Sequence, residues 1–185
     1  MPQGSILGPY LFNFFVSDLL HKFTLPQNLY VKQYADDLQA YIVYDVDSAQ
    51  QSHSALLSFI QHIVNWSEKN YLTLSYEKTE VIYFGNDNPN YPYLIAGHKI
   101  IATNDCIRNL GLLITPSLKW NIHIKAKCKF ALKRWYNLAR VAKMASIDGL
   151  TLIYKQFVRP ILEFPSIIVN PITPTLIKDI EIVQH

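Results

Sequence analysis

A chain of 185 residues, half of them hydrophobic, 13% aromatic and only 17% charged, has the apolar side chains for a core and is not a disordered polar tail. A mean hydropathy of +0.07, with Pro, Asn, Lys or Asp breaking every apolar run, excludes a polytopic membrane protein. The formal charge of +3 is unevenly divided: residues 1 to 100 hold five Lys against nine acids, net −4, and residues 101 to 185 hold twelve Lys or Arg against five, net +7. The opening residues lack a basic leader and carry Pro2, Gln3, Gly8 and Pro9, so neither secretion nor membrane insertion is expected and an intracellular site is. Cys106 and Cys128 form no metal spacing or disulfide framework and read as packed thiols.

Gly8-Pro9 followed by Leu11, Phe12, Phe15, Val16 and Leu19 predicts a buried helix with Pro in its first turn. Leu29 to Tyr34 and Leu38 to Tyr44 read as two strands of a hairpin with Ala35-Asp36-Asp37 at its tip. Asp47 or Ser48 then caps an amphipathic helix through Phe59, Ile63 and Trp66 that ends near Asn70. Extended segments are expected at Leu72 to Tyr76, Val81 to Phe84, Tyr93 to Ala96 and Lys99 to Ala102, the last two around a Gly97-His98 turn, and at Ile107 to Ile114. Beyond Pro116 the pattern turns helical: Asn121 to Met144, Gly149 to Phe164 with a kink at Pro160, and Pro174 to Val183. The expected fold is α+β, with residues 1–115 as one part and a helical, basic 116–185 as the other.

Adjacent acids reach one site only if the backbone turns between them, because successive strand residues face opposite sides. The hairpin supplies that turn at Asp36 and Asp37. Two uncompensated carboxylates repel each other and suit a divalent cation such as Mg²⁺, which keeps waters and takes further ligands from phosphates. From Ala-Asp-Asp alone a solvated turn is the favoured reading, because Asp is common in turns for its local hydrogen bonding.

The wider context is more specific. Pro2-Gln3-Gly4-Ser5-Ile6-Leu7-Gly8-Pro9, Leu11-Phe12-Asn13, Asp18-Leu19 and Tyr34-Ala35-Asp36-Asp37 stand in the order and spacing of non-LTR, LINE-type, jockey-like reverse transcriptases. Leu72-Thr73-Leu74 with Lys78-Thr79, Leu110-Gly111 with Trp120 and His123, and Tyr154-Lys155 with Arg159-Pro160 extend the resemblance along the whole chain. It implies part of a polymerase palm followed by an all-α thumb, and copying of an RNA template from a DNA primer with deoxynucleotide triphosphates and Mg²⁺ or Mn²⁺. On that resemblance Asp36 is a metal-ligating aspartate and Asp37 its weaker neighbour. Gln3, Gly4 and Tyr34 lie near nucleotide, template or primer, Lys78 lies near the leaving pyrophosphate, and Leu110 and Gly111 belong to a primer-gripping hairpin.

The basic run makes sense without the resemblance. Eight cations from Lys119 to Lys143 follow one another with no acid between Asp105 and Asp148. Lys125, Lys129, Lys133, Arg134 and Arg140 are the candidate phosphate contacts, with Phe130, Leu132, Trp135 and Leu138 expected to dock inward. In the resembled family a further catalytic Asp and the fingers lie upstream of Pro-Gln-Gly, and Asp18, Asp45 and Asp47 do not replace that Asp. The metal is therefore expected only where another segment supplies the third carboxylate, and the chain is expected to be inactive alone. The competing reading is a non-catalytic nucleic-acid-binding remnant that uses the basic helices.

Overall fold

Gly8 and Pro9 open the first helix, α1 (Gly8–His21), where a proline N–H would have no partner in any case. In this computed structural model, residues 5–102, 105–142, 145–169 and 173–184 are described. The chain divides into two units, Met1–Ala102 and Thr103–His185.

In the first unit, Val16 and Leu19 of α1 are buried with Phe12 and Leu20 against Trp66 and Ile63. The buried helix that its composition predicts is buried on one side only: Tyr10 and Phe14 are exposed, together with neighbouring Leu7. It is apolar on two sides, and only one meets α2 (Ala49–Lys69). β1 (Leu29–Tyr34) and β2 (Asp37–Ile42) pair antiparallel from Leu29↔Ile42 to Tyr34↔Asp37. Asn28 Nδ2 donates to the Val43 carbonyl (2.9 Å) and Ser52 Oγ (3.0 Å), tying the open end of this hairpin to α2. A 3₁₀ turn, Val46–Ser48, leads into α2, and the Asp45 N–H donates to Ser48 Oγ. α2 buries Phe59 completely, with Phe23 edge-on at 5.2 Å.

Leu72 to Tyr76 forms no strand. The Lys78 N–H and the Thr79 hydroxyl both donate to the Ser75 carbonyl and close the 3₁₀ turn Tyr76–Lys78, a local alternative to a sheet ladder. Of the strand expected over Val81 to Phe84, only Val81 is in a strand, β3 (Glu80–Val81). β4 (Leu94–Ile95) and β5 (His98–Lys99) turn at Ala96 and Gly97, one residue earlier than expected. Both have positive φ, 48° and 81°, as a type I′ turn requires. β6 (Ile101–Ala102) pairs with β3 in parallel. His53 of α2 stacks on Tyr91 (4.6 Å) and meets Tyr93 edge-on, fastening the segment before β4; burial pushes the Tyr93 hydroxyl up to about 12.

In the second unit the single strand expected over Ile107 to Ile114 is a hairpin, β7 (Ile107–Asn109) and β8 (Leu112–Ile114). Leu110 and Gly111 form its turn with φ of 45° and 85°, conformations that cost a glycine little and a leucine more. Thr115, nearly buried, accepts from the Lys119 N–H and donates to the Lys119 carbonyl, both at 3.2 Å, closing the loop ahead of α3 (Asn121–Val141). α4 (Ile147–Phe157) starts at Ser146, whose Oγ accepts from the Gly149 N–H. Pro160 sits in the first turn of the separate α5 (Arg159–Glu163), and α6 (Pro174–Gln184) completes the unit. Ile124, Cys128 and Ala131 of α3, Val158, Val169, and Leu176 and Val183 of α6 form the core. The fold is α+β, and no described helix is long and apolar enough to cross a membrane.

Candidate functional site

Because Tyr34 pairs with Asp37, the β1–β2 loop has only two residues, Ala35 and Asp36. Ala35 has φ of 52°, a left-handed conformation unusual for alanine, and Gln33 Nε2 donates to its carbonyl at 3.1 Å. Asp36 is thus in the turn and Asp37 begins β2; both carboxylates and the Tyr34 ring are exposed. Among the described residues no cation pairs with either acid. Carboxylate oxygens suit a hard divalent cation in their chemistry. Two are available here, and no group of three potential ligands exists among the described residues.

Asp18 is committed elsewhere. Its Oδ1 accepts from Trp66 Nε1 at 2.8 Å and its Oδ2 pairs with Lys22. Lys22 first and Trp66 second hold the carboxyl below its ordinary range. Sequence reading took Asp18 only as part of a motif; its partner Trp66 lies 48 residues away, beyond any local pattern. Replacing Asp18 by Ala is expected to lower the urea midpoint more than replacing it by Asn, which keeps an acceptor for the indole. Equal losses on chemical denaturation would show that the indole hydrogen bond contributes nothing.

Lys78 is exposed at the end of its 3₁₀ turn, and among the described residues no ion pair joins it to the hairpin acids. Gln3 and Gly4 lie outside the described residues. Leu110 and Gly111 form the β7–β8 turn, with the Leu110 side chain exposed. A hairpin therefore stands where the residue pattern alone predicted one extended segment over Ile107 to Ile114.

On α3 the cations Lys125, Lys129, Lys133, Arg134 and Arg140 are all exposed. Leu132, Trp135 and Leu138 pack on the core, as expected from the helical period, but Phe130 is 52% exposed. At about 100° per residue Phe130 falls on the solvent arc, well away from Ile124, Cys128 and Ala131. Lys127 leaves the solvated set: its Nζ lies 5.3 Å from the centre of the Phe164 ring, and desolvation first, Arg108 second, lower its affinity for a proton. Lys143 lies outside the described residues.

The model of the family described as reverse transcriptase (RNA-dependent DNA polymerase) matches residues 1–114, which contain the first unit, both hairpin acids and the β7–β8 turn. This chain belongs to the reverse transcriptase family. Its jockey-like, non-LTR character follows from two relatives. It is 24% identical over 171 residues to the RNA-directed DNA polymerase from mobile element jockey of Drosophila melanogaster, covering 88% of this chain and 18% of the relative. It is 22% identical over 169 residues to the enzyme of the same description from Drosophila funebris, covering 86% of this chain and again 18% of the relative. The chain thus spans under a fifth of the length of these relatives. No solved structure matches it.

Proposed function

We propose that this chain forms part of an RNA-directed DNA polymerase of a retrotransposon, its first unit contributing to a palm and its second acting as a thumb. The observation that carries this reading is the two-residue turn that sets Asp36 and Asp37 together, exposed and without a cationic partner, in a chain of the reverse transcriptase family. Asp36 and Asp37 would hold a divalent cation, Mg²⁺ or Mn²⁺, which when bound stabilises charge on the transferring phosphates. Tyr34, the register partner of Asp37, borders the primer end, and Gln3 and Gly4 serve the nucleotide and template. Lys78 can donate a proton to the leaving pyrophosphate, and the Leu110–Gly111 turn supports the primer. The basic face of α3 neutralises backbone phosphates of the RNA–DNA duplex, which positions the duplex without reading its sequence.

Two carboxylates are too few for a two-metal site, and Asp18 is occupied by Trp66 and Lys22. The chain by itself is therefore expected not to extend a primer. Catalytic metal binding needs the third carboxylate, but the two acids alone should still bind Mn²⁺ weakly, so that its addition broadens the backbone NMR signals around Asp36 and Asp37 selectively, an effect lost in the double variant Asp36→Ala/Asp37→Ala. Uniform broadening, or selective broadening that survives the double substitution, refutes the cation site. Primer extension by the isolated chain that depends on Asp36 refutes the claim of inactivity.

The alternative, a non-catalytic nucleic-acid-binding remnant, is favoured by one observation: among the described residues none of the α3 surface cations is paired with an acid. It predicts salt-dependent binding of an RNA–DNA hybrid that is indifferent to Asp36→Ala. Neutralising Lys125, Lys129 and Lys133 together should then flatten the salt dependence by about three phosphate contacts.

A further inference from the structure

α3 bears two strongly exposed aromatic side chains, and their surroundings differ. At about 100° per residue, Lys125, Lys129, Lys133 and Arg140 share a strip of surface about 80° wide, and Tyr136 falls inside it. Phe130 falls outside, beside Arg134. Tyr136 is 63% exposed, and among the described residues its ring packs on no other aromatic ring. It has Lys129 and Lys133 one or two turns before it and Arg140 one turn after. Ile122, also exposed, lies in the same strip near the start of the helix.

A surface that touched only phosphate oxygens would gain from cations at every position of the strip and nothing from a ring at its centre. An aromatic ring gains by lying against other carbon-rich surface, and a nucleic acid offers that at its sugars and bases. In an A-like duplex the wide, shallow groove brings sugar and base edges within reach of a short side chain standing between phosphate contacts. The tyrosine hydroxyl adds one donor and one acceptor that a ribose hydroxyl can meet.

We propose that Tyr136 is a positioning residue for an RNA–DNA duplex, its ring lying on the sugar–base surface while Lys125, Lys129, Lys133 and Arg140 hold the flanking phosphates. This rests on the reading of α3 as a backbone-binding helix, and the two are separable. Charge neutralisation changes how affinity depends on salt. Loss of an uncharged contact lowers affinity at every salt concentration without altering that dependence.

The test is fluorescence anisotropy of a labelled RNA–DNA hybrid titrated with the full chain at several salt concentrations. Tyr136→Ala is expected to weaken binding about tenfold with an unchanged slope of log affinity against log salt. Tyr136→Phe should stay within about threefold of the parent, because it keeps the ring. Phe130→Ala, outside the strip, should bind like the parent, and Lys129→Gln should reduce the slope by about one. Parent-like affinity in Tyr136→Ala, or a loss accompanied by a shallower slope, overturns the inference while leaving the basic face intact. Absence of salt-dependent binding in the parent chain overturns the basic-face reading and this inference with it. Tyr136 is exposed, so circular dichroism should show every variant folded like the parent.

Discussion

Phe59→Ala is expected to destabilise the first unit by about 3–5 kcal/mol, the range for removing a fully buried phenyl ring. Phe59 has no exposed surface, and Phe23 meets it edge-on at 5.2 Å, an arrangement that adds to simple burial. A small domain has about 5–15 kcal/mol of stability in all. The first unit buries few other large side chains, chiefly Val16, Leu19, Leu29, Val64, Trp66, Tyr93 and Ile100, so the substitution should leave it partly unfolded at room temperature. The consequence reaches the candidate site. The β1–β2 hairpin has only two strands, too few for independent stability, and the hydrogen bond from Asn28 to Ser52 attaches it to the helix that carries Phe59. Hydrogen exchange should therefore speed up together in α2 and in β1–β2, while amides of α3 keep their protection. Unchanged exchange in the hairpin would mean that it holds its shape without α2. Phe59→Leu, which leaves a smaller void, should cost markedly less and retain most of the hairpin's protection.

Legibility of this fold in its sequence follows the range of the interactions. α2 was legible because Phe59, Ile63 and Trp66 repeat at helical spacing between a Ser48 start and an Asn70 end, and it spans Ala49–Lys69. The β1–β2 hairpin was equally plain, since β-branched and aromatic runs flank an acidic turn, and the register put that turn at Ala35 and Asp36. Weak strands were not. Ser75 and Thr79 satisfy the backbone near them locally, so Leu72 to Tyr76 stays out of any sheet although its composition is that of a strand. At Leu110–Gly111 the strand-like composition hid a reversal, implied only by the family resemblance, that requires two successive positive-φ residues, one of them a leucine. The exposed side of α1 and the outward Phe130 share a different cause: hydrophobicity says that a side chain favours burial, and only the arrangement of elements says whether a neighbour is there.

The candidate site divides in the same way. Asp36, Asp37 and the α3 cations could be named from the sequence because each sits in a short, distinctive pattern. The residues that hold those elements could not. Asp18 meets Trp66 across 48 positions and Thr115 closes the approach to α3 through its hydroxyl, and neither contact has a sequence signature. His123 belongs with them, as a motif residue whose structural work appears only in three dimensions.

His123 should make the second unit lose stability on mild acidification. The side chain is 1% exposed on the first turn of α3, and its Nδ1 accepts a hydrogen bond from the Leu113 N–H of β8 at 3.1 Å. An imidazole that accepts at Nδ1 is neutral and carries its proton on Nε2, which among the described residues has no hydrogen-bond partner. Protonation at Nδ1 would break the bond to β8 and place a charge beside a cavity of about 40 Å³ whose lining includes Lys127, Cys128, Phe164 and Ser166 but no carboxylate. Desolvation first, and the Lys127 ammonium second, hold the imidazole below its ordinary value of 6.5, with the Phe164 backbone opposing them. The unfolded chain therefore binds more protons than the folded one below 6.5. Stability is full above that pH and falls as pH drops through it, by at most about 1.4 kcal/mol per pH unit for one proton, levelling off below the folded value. Asp18 in the first unit acts with the same sign at lower pH, its stabilisation lost as pH falls below the ordinary carboxylate value of 3.8. Urea denaturation followed by hydrogen exchange in α3 should show the second unit weakening between neutrality and the carboxylate range, before the first. His123→Leu tests the cause. It leaves the Leu113 N–H without an acceptor, which should lower stability at pH 8 by about 1–3 kcal/mol, and it removes the titrating group, so the decline below 6.5 should vanish. A decline of unchanged size in the variant would assign the acid sensitivity to another group and leave His123 as a packing residue only.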